Sequence, residues 1–358
     1  MAYTTINKST AHFNTKLYTG NGGTQTITGV GFQPDFSWVK ARDYAYYSYL
    51  QDAVRGTSNV LYSNNNEAQA TGVTAGISAF NADGYVTGSQ GALNASGKNF
   101  VAWNWKGGTT SGLSGGSITP SAYSYNATSG FGIYKYSGTG SNASITHGLG
   151  KIPKMVIVKR LNATEDWCVF TYDVNVSNNN AHNYLELNTT NAEAGDSGAR
   201  WGSYANFNTN TFGVGTDNGT NASGSTYIAY VFTETLGFSK VGKYTGTGSA
   251  TSTPFIYTGF KPEFIMTKIV GGTDAWSMTD IPRDDVVGGR GNGTGARLTA
   301  NEYAVESSNT SWASIQKYSN GFSPQGSDQV TNGNEETYIY IAIGQSIVGS
   351  NKVPCTAR

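Results

Sequence analysis

The chain is short of charge and of cysteine, and each shortage excludes a class of protein. Only 13% of its 358 residues are charged, and the 23 basic residues balance the 23 acidic ones. Because nucleic-acid binding depends on a basic surface that releases counterions, zero net charge argues against it. The two cysteines, Cys168 and Cys355, have neither the spacing of metal ligands nor that of a disulfide framework. We therefore expect two free thiols in a protein made in a reducing cytoplasm.

Long apolar runs are also missing, which excludes two further classes. No segment approaches the ~20 apolar residues of a membrane span, and residues 1–12 are too polar for a signal peptide. The abundant residues are glycine (47) and tyrosine (23), among many Asn, Ser and Thr. Aromatic and β-branched residues favour strands, whereas Gly and Asn favour turns. Since amphipathic helical patterns are also lacking, we predict an all-β protein.

A short phrase occurs three times along the chain. It reads Tyr-Ser/Thr-Gly-x-Gly, then Gly-x-x-Pro, then an apolar run that ends in lysine six residues after the proline. The proline follows the tyrosine by 16, 17 and 18 residues. Repetition this regular indicates that one structural unit of roughly 110 residues has been copied. The three tyrosines are Tyr18, Tyr136 and Tyr244, and the three lysines are Lys40, Lys159 and Lys268.

Each copy also ends in a strand whose alternate residues are apolar. The three sets are Val101/Trp103/Trp105, Ile228/Tyr230/Phe232 and Ile339/Ile341/Ile343. A two-residue apolar period is typical of a β-strand with one face in a core. We predict three tandem antiparallel β-sandwiches of jelly-roll type. They cover residues 1–108, 131–237 and 238–347, with a Gly/Ser/Thr-rich linker or arm at 109–130 and a C-terminal tail at 348–358.

Charged residues recur at matched positions in the first and third copies. In both, the aspartate of an Asp-x-x-Arg motif follows the repeated lysine by 12 residues, whereas the second copy has Asp173 and Val176 at a shifted offset. We interpret the set as structural ion pairs that pin a loop to the sandwich; the alternative is a contact to a ligand or another subunit. The set comprises Lys40, Asp52, Arg55, Lys268, Asp280 and Arg283.

Several patterns that could carry chemistry have a structural explanation. The Gly-x-Gly phrases lack the following helix of a phosphate site, so they indicate turns. The adjacent acids Glu165-Asp166, Asp284-Asp285 and Glu335-Glu336 would point to opposite faces of a strand, unlike the facing carboxylates of a glycosidase. Residues 217–221 could ligate calcium but also suit a hairpin loop. The histidines, His12, His147 and His182, are isolated, and we expect them at the surface. We predict no catalytic residue, no metal and no cofactor.

Two aromatic loops are the best candidates for binding. Sheet alternation cannot bury every ring in them, and exposed Tyr and Trp give large contact areas at low entropic cost. The rings could stack on sugar rings of a ligand, or could fill contacts between repeats or subunits, and both interpretations stay open. The candidate residues are Tyr44, Tyr46, Tyr47, Tyr49, Trp201 and Tyr204.

Several motifs resemble a family of structural proteins from marine tailed phages, notably cyanophages. They are YTGNG at 18–22, GFQPDFSWVK at 31–40, DAVRG at 52–56, FVAWNWK at 100–106, and GQSI at 344–347 with NKVP at 351–354. The resemblance covers essentially the whole chain and is strongest in the first copy. The second and third copies lose parts of the DAVRG and FVAWNWK motifs.

The resemblance implies a lectin-like sandwich, a place on the virion after assembly in the host cytoplasm, and homotrimers. It implies no catalytic residues. The expected partners are other virion proteins, further copies of the chain, and a host cell-surface glycan, with no nucleic acid and no membrane insertion. We expect a tail-fibre or adsorption protein that binds glycan without catalysis. A capsid or tail decoration or adaptor is the alternative, and a glycan depolymerase is a third.

Overall fold

The computed structural model describes residues 4–172, 183–195, 197–283, 296–307 and 314–348. These residues form twenty-five strands and two one-turn α-helices. Neighbouring strands in every sheet pair antiparallel, and each large sheet is accompanied by a smaller one. The predicted all-β, antiparallel sandwich class is therefore confirmed. No helix in the described ranges has the length and apolar character needed to cross a membrane.

We call the described part of each predicted copy a unit, and unit one, from the range 1–108, contains a five-stranded and a three-stranded sheet. The first has the order β1-β8-β3-β4-β5 and the second β2-β7-β6. Helix α1 (Gly91–Asn94) precedes the last strand. The strands are β1 (Phe13–Thr19), β2 (Gln25–Thr28), β3 (Phe36–Ala41), β4 (Tyr49–Asp52), β5 (Leu61–Tyr62), β6 (Ile77–Asn81), β7 (Gly84–Thr87) and β8 (Asn99–Trp105).

Unit two, residues 131–237, has a seven-stranded sheet with the order β15-β14-β13-β12-β17-β10-β9, and a two-stranded sheet β11-β16. One of its two edge strands, β9, comes from the segment 109–130, which thus contributes to this sheet. The strands are β9 (Ala122–Asn126), β10 (Phe131–Ser137), β11 (Ala143–Thr146), β12 (Pro153–Arg160), β13 (Cys168–Thr171), β14 (Asn183–Glu186), β15 (Ala194–Gly195), β16 (Thr211–Val214) and β17 (Thr226–Thr233).

Unit three, residues 238–347, has a five-stranded sheet with the order β18-β25-β20-β21-β22 and a three-stranded sheet β19-β24-β23. Helix α2 (Gln329–Asn332) precedes its last strand. The strands are β18 (Ser239–Thr245), β19 (Ile256–Tyr257), β20 (Lys261–Ile269), β21 (Ser277–Asp280), β22 (Leu298–Thr299), β23 (Ile315–Tyr318), β24 (Gly321–Pro324) and β25 (Thr337–Gln345).

The three large sheets share one arrangement. In each, the closing strand lies between the strand that carries the Tyr-x-Gly-x-Gly phrase and the strand that follows the proline. The registers also correspond, because Phe36 pairs with Trp105, Met155 with Phe232 and Phe264 with Ile343. This correspondence lets equivalent positions be compared directly.

Alternate residues of each large sheet enter two different cores, as the pleat requires. One face of each sheet packs against the small sheet or loops of its own unit. The other face joins one central core to which all three units contribute. Its buried members include Trp38, Trp103 and Trp105 from unit one, Ile157, Tyr230 and Phe232 from unit two, and Met266, Ile341 and Ile343 from unit three. The three large sheets therefore bury their inner faces against one another.

Candidate ligand-binding site

The first aromatic loop connects β3 to β4. Tyr44, Tyr46 and Tyr47 in this loop are partly exposed, whereas Tyr49 is completely buried. The Tyr44 hydroxyl donates to the carbonyl oxygen of Gly91. The expectation that this loop presents accessible rings holds for three of its tyrosines and is wrong for Tyr49, because the first residue of β4 faces the core of unit one.

Tyr47 is the centre of a ring cluster that extends beyond its own loop. Its ring centroid lies 5.5 Å from that of Tyr46, 4.4 Å from Tyr62 and 5.0 Å from Tyr303. Tyr303 belongs to unit three and is 45% exposed. We call Tyr44, Tyr46, Tyr47, Tyr62 and Tyr303 the seam cluster, because it bridges units one and three.

A network of charged hydrogen bonds holds that seam together. The Arg42 guanidinium donates to both carboxylate oxygens of Glu306, at 3.0 and 2.8 Å. Arg283 donates to the same carboxylate at 3.1 Å, and the Glu306 amide donates to the Arg42 carbonyl at 2.7 Å. Planar two-pronged contacts of this kind fix orientation as well as distance. They set the loop that carries Tyr303 against the loop that carries Tyr47.

The same backbone contact occurs at the other two seams. The Gln69 amide donates to the Leu161 carbonyl at 2.9 Å, which joins unit one to unit two. The Glu193 amide donates to the Val270 carbonyl at 2.8 Å, which joins unit two to unit three. Together with the Glu306–Arg42 contact, these bonds close a ring of three seams within one chain.

The repeated lysines also lie at the seams, which corrects their predicted role. Each is buried, and its ammonium donates to a carbonyl of a neighbouring unit: Lys40 to Glu302 at 2.6 Å, Lys159 to Asn66 at 3.3 Å and Lys268 to Thr190 at 3.3 Å. Lys40 also donates to the Ser48 hydroxyl at 2.9 Å. In the described residues none of them pairs with the Asp-x-x-Arg carboxylates. Burial lowers the pKa of each lysine to about 8.

The predicted aspartate–arginine pairs do form, and both are buried. The Asp52–Arg55 pair has an N–O distance of 2.5 Å and the Asp280–Arg283 pair one of 2.6 Å. Each carboxylate also accepts a hydrogen bond from a different unit. The Tyr230 hydroxyl donates to Asp52 at 2.8 Å, and the Trp103 indole donates to Asp280 at 2.9 Å. Each pair therefore also joins two units.

These inter-unit bonds explain why the second unit lacks the pair. Strand registers place Thr171 where Asp52 and Asp280 lie, and place Ile341 where Trp103 and Tyr230 lie. Acceptor and donor are thus both replaced at the third seam, which leaves no buried group unsatisfied by the change. Asp173 and Val176 lie outside the described residues.

The second aromatic loop does not form a binding surface. Trp201 is fully buried, and its ring lies 5.6 Å from that of Phe170. The partly exposed Tyr204 packs 5.1 Å from Tyr172. The expectation that Trp201 is accessible is therefore wrong, because the loop folds over the outer face of the large sheet of unit two and fills its core.

The remaining residues considered in the sequence analysis are part of the fold where the structure describes them. His147 is buried, contrary to expectation, and burial lowers its pKa to about 4. Cys168 is a buried free thiol whose pKa burial raises to about 12. Asp217 accepts the Gly219 amide at 2.7 Å in a local turn, and the described ranges contain no group of three or more metal-ligating side chains. His182, Cys355, Asp284-Asp285 and the NKVP segment lie outside the described residues.

A comparison with protein-family models assigns the chain to a family. Residues 8–346 match a domain of unknown function, DUF7483. The chain belongs to the DUF7483 family. No curated protein and no solved structure matches it. The bounds of the DUF7483 match span all three units.

Three buried asparagines support the repeated turn of this DUF7483 chain, and the sequence interpretation missed them. Asn221 accepts the Thr139 amide at 2.8 Å and donates to the carbonyls of Ser141 and Gly215, both at 2.6 Å. Asn94 and Asn332 occupy the same place in the other units and are also fully buried. All three precede an aromatic residue of the closing strand by six positions, a spacing that would have revealed them.

The first glycine of the turn is required for space. A Cβ on Gly138 would collide with the Ala222 carbonyl oxygen beside this asparagine, and one on Gly20 with that of Ala95. The second glycine has positive φ, as at Gly140 (φ 72°). The phrase is thus a structural turn in the DUF7483 fold.

We expect Glu306→Gln to lower the free energy of unfolding by about 1–2 kcal/mol, because the Arg42 and Arg283 guanidiniums lose a charged acceptor. Chemical denaturation measures the change. Glu302→Gln is the control, since Lys40 contacts the backbone carbonyl of Glu302 and that contact survives. Equal losses in the two variants would contradict the role of Glu306 in closing the seam.

Proposed function

We propose that this DUF7483 chain is a structural protein of a phage virion, acting as a tail-fibre or adsorption protein that binds a host surface glycan without catalysis. The seam cluster carries the binding part of this proposal. The phage part is supported by the motifs at 18–22, 31–40, 52–56 and 100–106. Such sites repeated over several subunits would give useful avidity from weak individual binding.

Comparison of the three seams supports a binding role for the cluster. Just before β13 and β21, Trp167 and Trp276 are buried and donate across their seams, to the Tyr62 carbonyl at 3.0 Å and the Glu186 carbonyl at 2.8 Å. At the equivalent position before β4 the chain has the small residue Ser48. The seam between units one and three is therefore built differently, with a group of partly exposed tyrosines instead of one buried tryptophan.

The rings of the seam cluster are pre-positioned. Tyr46 and Tyr47 meet edge to face at 83°, and Tyr47 and Tyr303 at 66°. Mutual packing restricts the side-chain rotamers before a ligand arrives, so less conformational entropy is lost on binding. Aromatic faces held in this way can stack on the apolar faces of sugar rings.

Removal of the rings provides the test. We expect the double variant Tyr46→Ala/Tyr303→Ala to lose about tenfold or more in affinity for host cells, a loss of about 1.4 kcal/mol. The measurement is adsorption of purified, labelled protein to host cells. Tyr257→Ala is the matched control, because Tyr257 is 60% exposed but lies on the small sheet of unit three. Unchanged adsorption by the double variant would refute glycan binding at the seam.

A decoration or adaptor role is the alternative, and a different surface favours it. Phe255 and Tyr318 are 52% and 38% exposed, and their rings meet at 5.6 Å beside Tyr257. Exposed apolar groups of this kind often mark protein contacts. Loss of virion incorporation in Phe255→Ser/Tyr318→Ser, with cell adsorption intact, would support this alternative. Release of reducing sugar from host polysaccharide would instead support a depolymerase.

The homotrimer remains a prediction with a geometric consequence. Since the three seams close within one chain, a trimer would combine three complete rings through other surfaces. Light scattering of the purified chain measures its mass and distinguishes one chain from three.

A further inference from the structure

We propose that the glycan bound at the seam cluster carries ammonium groups, as an unacetylated amino sugar does. The inference rests on the proposed glycan-binding function and adds the substrate class. It is carried by the combination of exposed aromatic faces and nearby carboxylates at one seam.

The first observation is an ammonium that the chain itself places on the cluster. Lys98 Nζ lies over the Tyr44 ring, 5.6 Å from its centroid. The negative face of a tyrosine ring attracts a cation at this distance. Within the described ranges no lysine or arginine lies over Tyr46, Tyr47 or Tyr303, and Tyr303 is 45% exposed, so a ligand cation can approach its ring.

The second observation is the sign of the charge around the cluster. Glu67 is exposed, and its carboxylate accepts from the Asn65 side chain at 2.9 Å. Asn65 itself is held by the Trp167 indole, which donates to its carbonyl at 3.2 Å. The pKa of Tyr303 is raised to about 12, mainly by burial, next by the neighbouring Tyr47 hydroxyl and then by the Glu67 carboxylate. Because the Trp167 indole also donates to the Tyr62 carbonyl, these hydrogen bonds place Glu67 on the loop that follows Tyr62 of the seam cluster.

A second carboxylate flanks the seam cluster beside Tyr44. Asp43 is exposed and accepts from the backbone and side chain of Asn99 at 3.1–3.2 Å. The pKa of Tyr44 is raised mainly by burial, next by Tyr46 and then by this carboxylate. Both ends of the cluster thus carry negative charge.

Other nearby cations are already engaged. Arg42 binds Glu306 with both prongs, and Lys40 is buried against the Glu302 carbonyl. Lys98, whose ammonium lies over the Tyr44 ring, is exposed. This balance repels acidic glycans and favours ammonium groups, by direct charge attraction and by cation–π contact.

Oligosaccharides that differ only at the amine test the inference. The probes are glucosamine and N-acetylglucosamine oligomers of equal length, with a galacturonate oligomer as the acidic case, at mildly acidic pH where the amines are protonated. We expect the glucosamine oligomer to bind about tenfold more tightly than the other two and to weaken with added salt. Calorimetry or interferometry on the full chain measures each affinity.

A charge-neutralising variant identifies the group responsible. Glu67→Gln should lower affinity for the glucosamine oligomer about threefold or more and reduce its salt dependence, while affinity for the acetylated oligomer stays unchanged. Glu335→Gln, at an exposed glutamate on the loop before β25, is the matched control and should change neither. Circular dichroism verifies that both variants are folded.

The outcomes separate this inference from the proposed function. Cell adsorption that depends on Tyr46 and Tyr303 but shows no preference for the glucosamine oligomer overturns the ammonium inference alone. Absence of both cell adsorption and oligomer binding overturns the glycan function together with it. A loss in Glu67→Gln equal for all oligomers would also count against the ammonium contact.

Discussion

Replacing Asp52 with alanine should lower the free energy of unfolding by about 3–5 kcal/mol, the cost of breaking a buried ion pair by removing one partner. Arg55 would remain buried without its 2.5 Å partner, and the Tyr230 hydroxyl would lose its acceptor across the seam. The side chains of Asp52 and Arg55 are 0% and 1% exposed, so water cannot substitute for the lost contacts. Urea denaturation followed by tryptophan fluorescence measures the loss.

The chain supplies its own control for this experiment. Thr171 occupies the equivalent position in unit two, where no ion pair is described. Thr171→Ala should cost about 1 kcal/mol or less, because only a hydroxyl and a methyl group are removed. Similar losses in the two variants would show that the position, rather than the charge network, determines stability. A small loss in Asp52→Ala alone would contradict the buried pair.

Local patterns in the sequence predict the three repeated strands of each large sheet. The tyrosine–glycine phrase, the strand after the proline and the two-residue period of the closing strand all describe contacts between neighbours in one sheet. The Asp52–Arg55 pair was predictable for the same reason, since its members are three residues apart. Each of these features depends on spacing that the chain displays directly.

The central core could not be predicted in this way. A period of two shows that Trp103 and Tyr230 face a core, but not that the core is shared with other units. Lys40 follows the apolar run like a residue at the polar end of a strand, yet it donates to the Glu302 carbonyl, 262 positions along the chain. Such contacts depend on how three sheets pack, and no local pattern encodes that packing.

The candidate site was likewise predictable only where local sequence patterns determine it. The loop 42–48 was recognisable because its rings are too closely spaced for all to be buried. Composition could not distinguish the accessible Tyr47 from the buried Tyr49, and it could not connect Tyr47 with Tyr303 in unit three. The same reasoning predicts an accessible Trp201, which is wrong, because this ring packs against Phe170 in a buried core of unit two.

The three buried lysines lead to the second large effect, a rise in stability with pH. Burial lowers the pKa of Lys40, Lys159 and Lys268 to about 8, from 10.5 in the unfolded chain. Between these two values the unfolded chain binds more protons than the folded one, so raising the pH favours folding. Each lysine contributes a slope of up to about 1.4 kcal/mol per pH unit. Denaturation midpoints measured across this window should therefore increase.

Other titrating groups limit the pH range over which stability rises. The pKa of Cys168 is raised by burial from 9.0 to about 12, so above about pH 9 its ionisation favours the unfolded chain. Buried tyrosines with raised pKa act in the same direction above about pH 10. The rise should thus be steepest just above pH 8, and Lys268→Met should reduce its slope by about one third, because one of three equivalent groups is removed. A flat or falling profile there would mean that the lysines are not buried as charged donors at the seams. The three-seam ring would then be held by its backbone bonds, its other side-chain bonds between units and its central core.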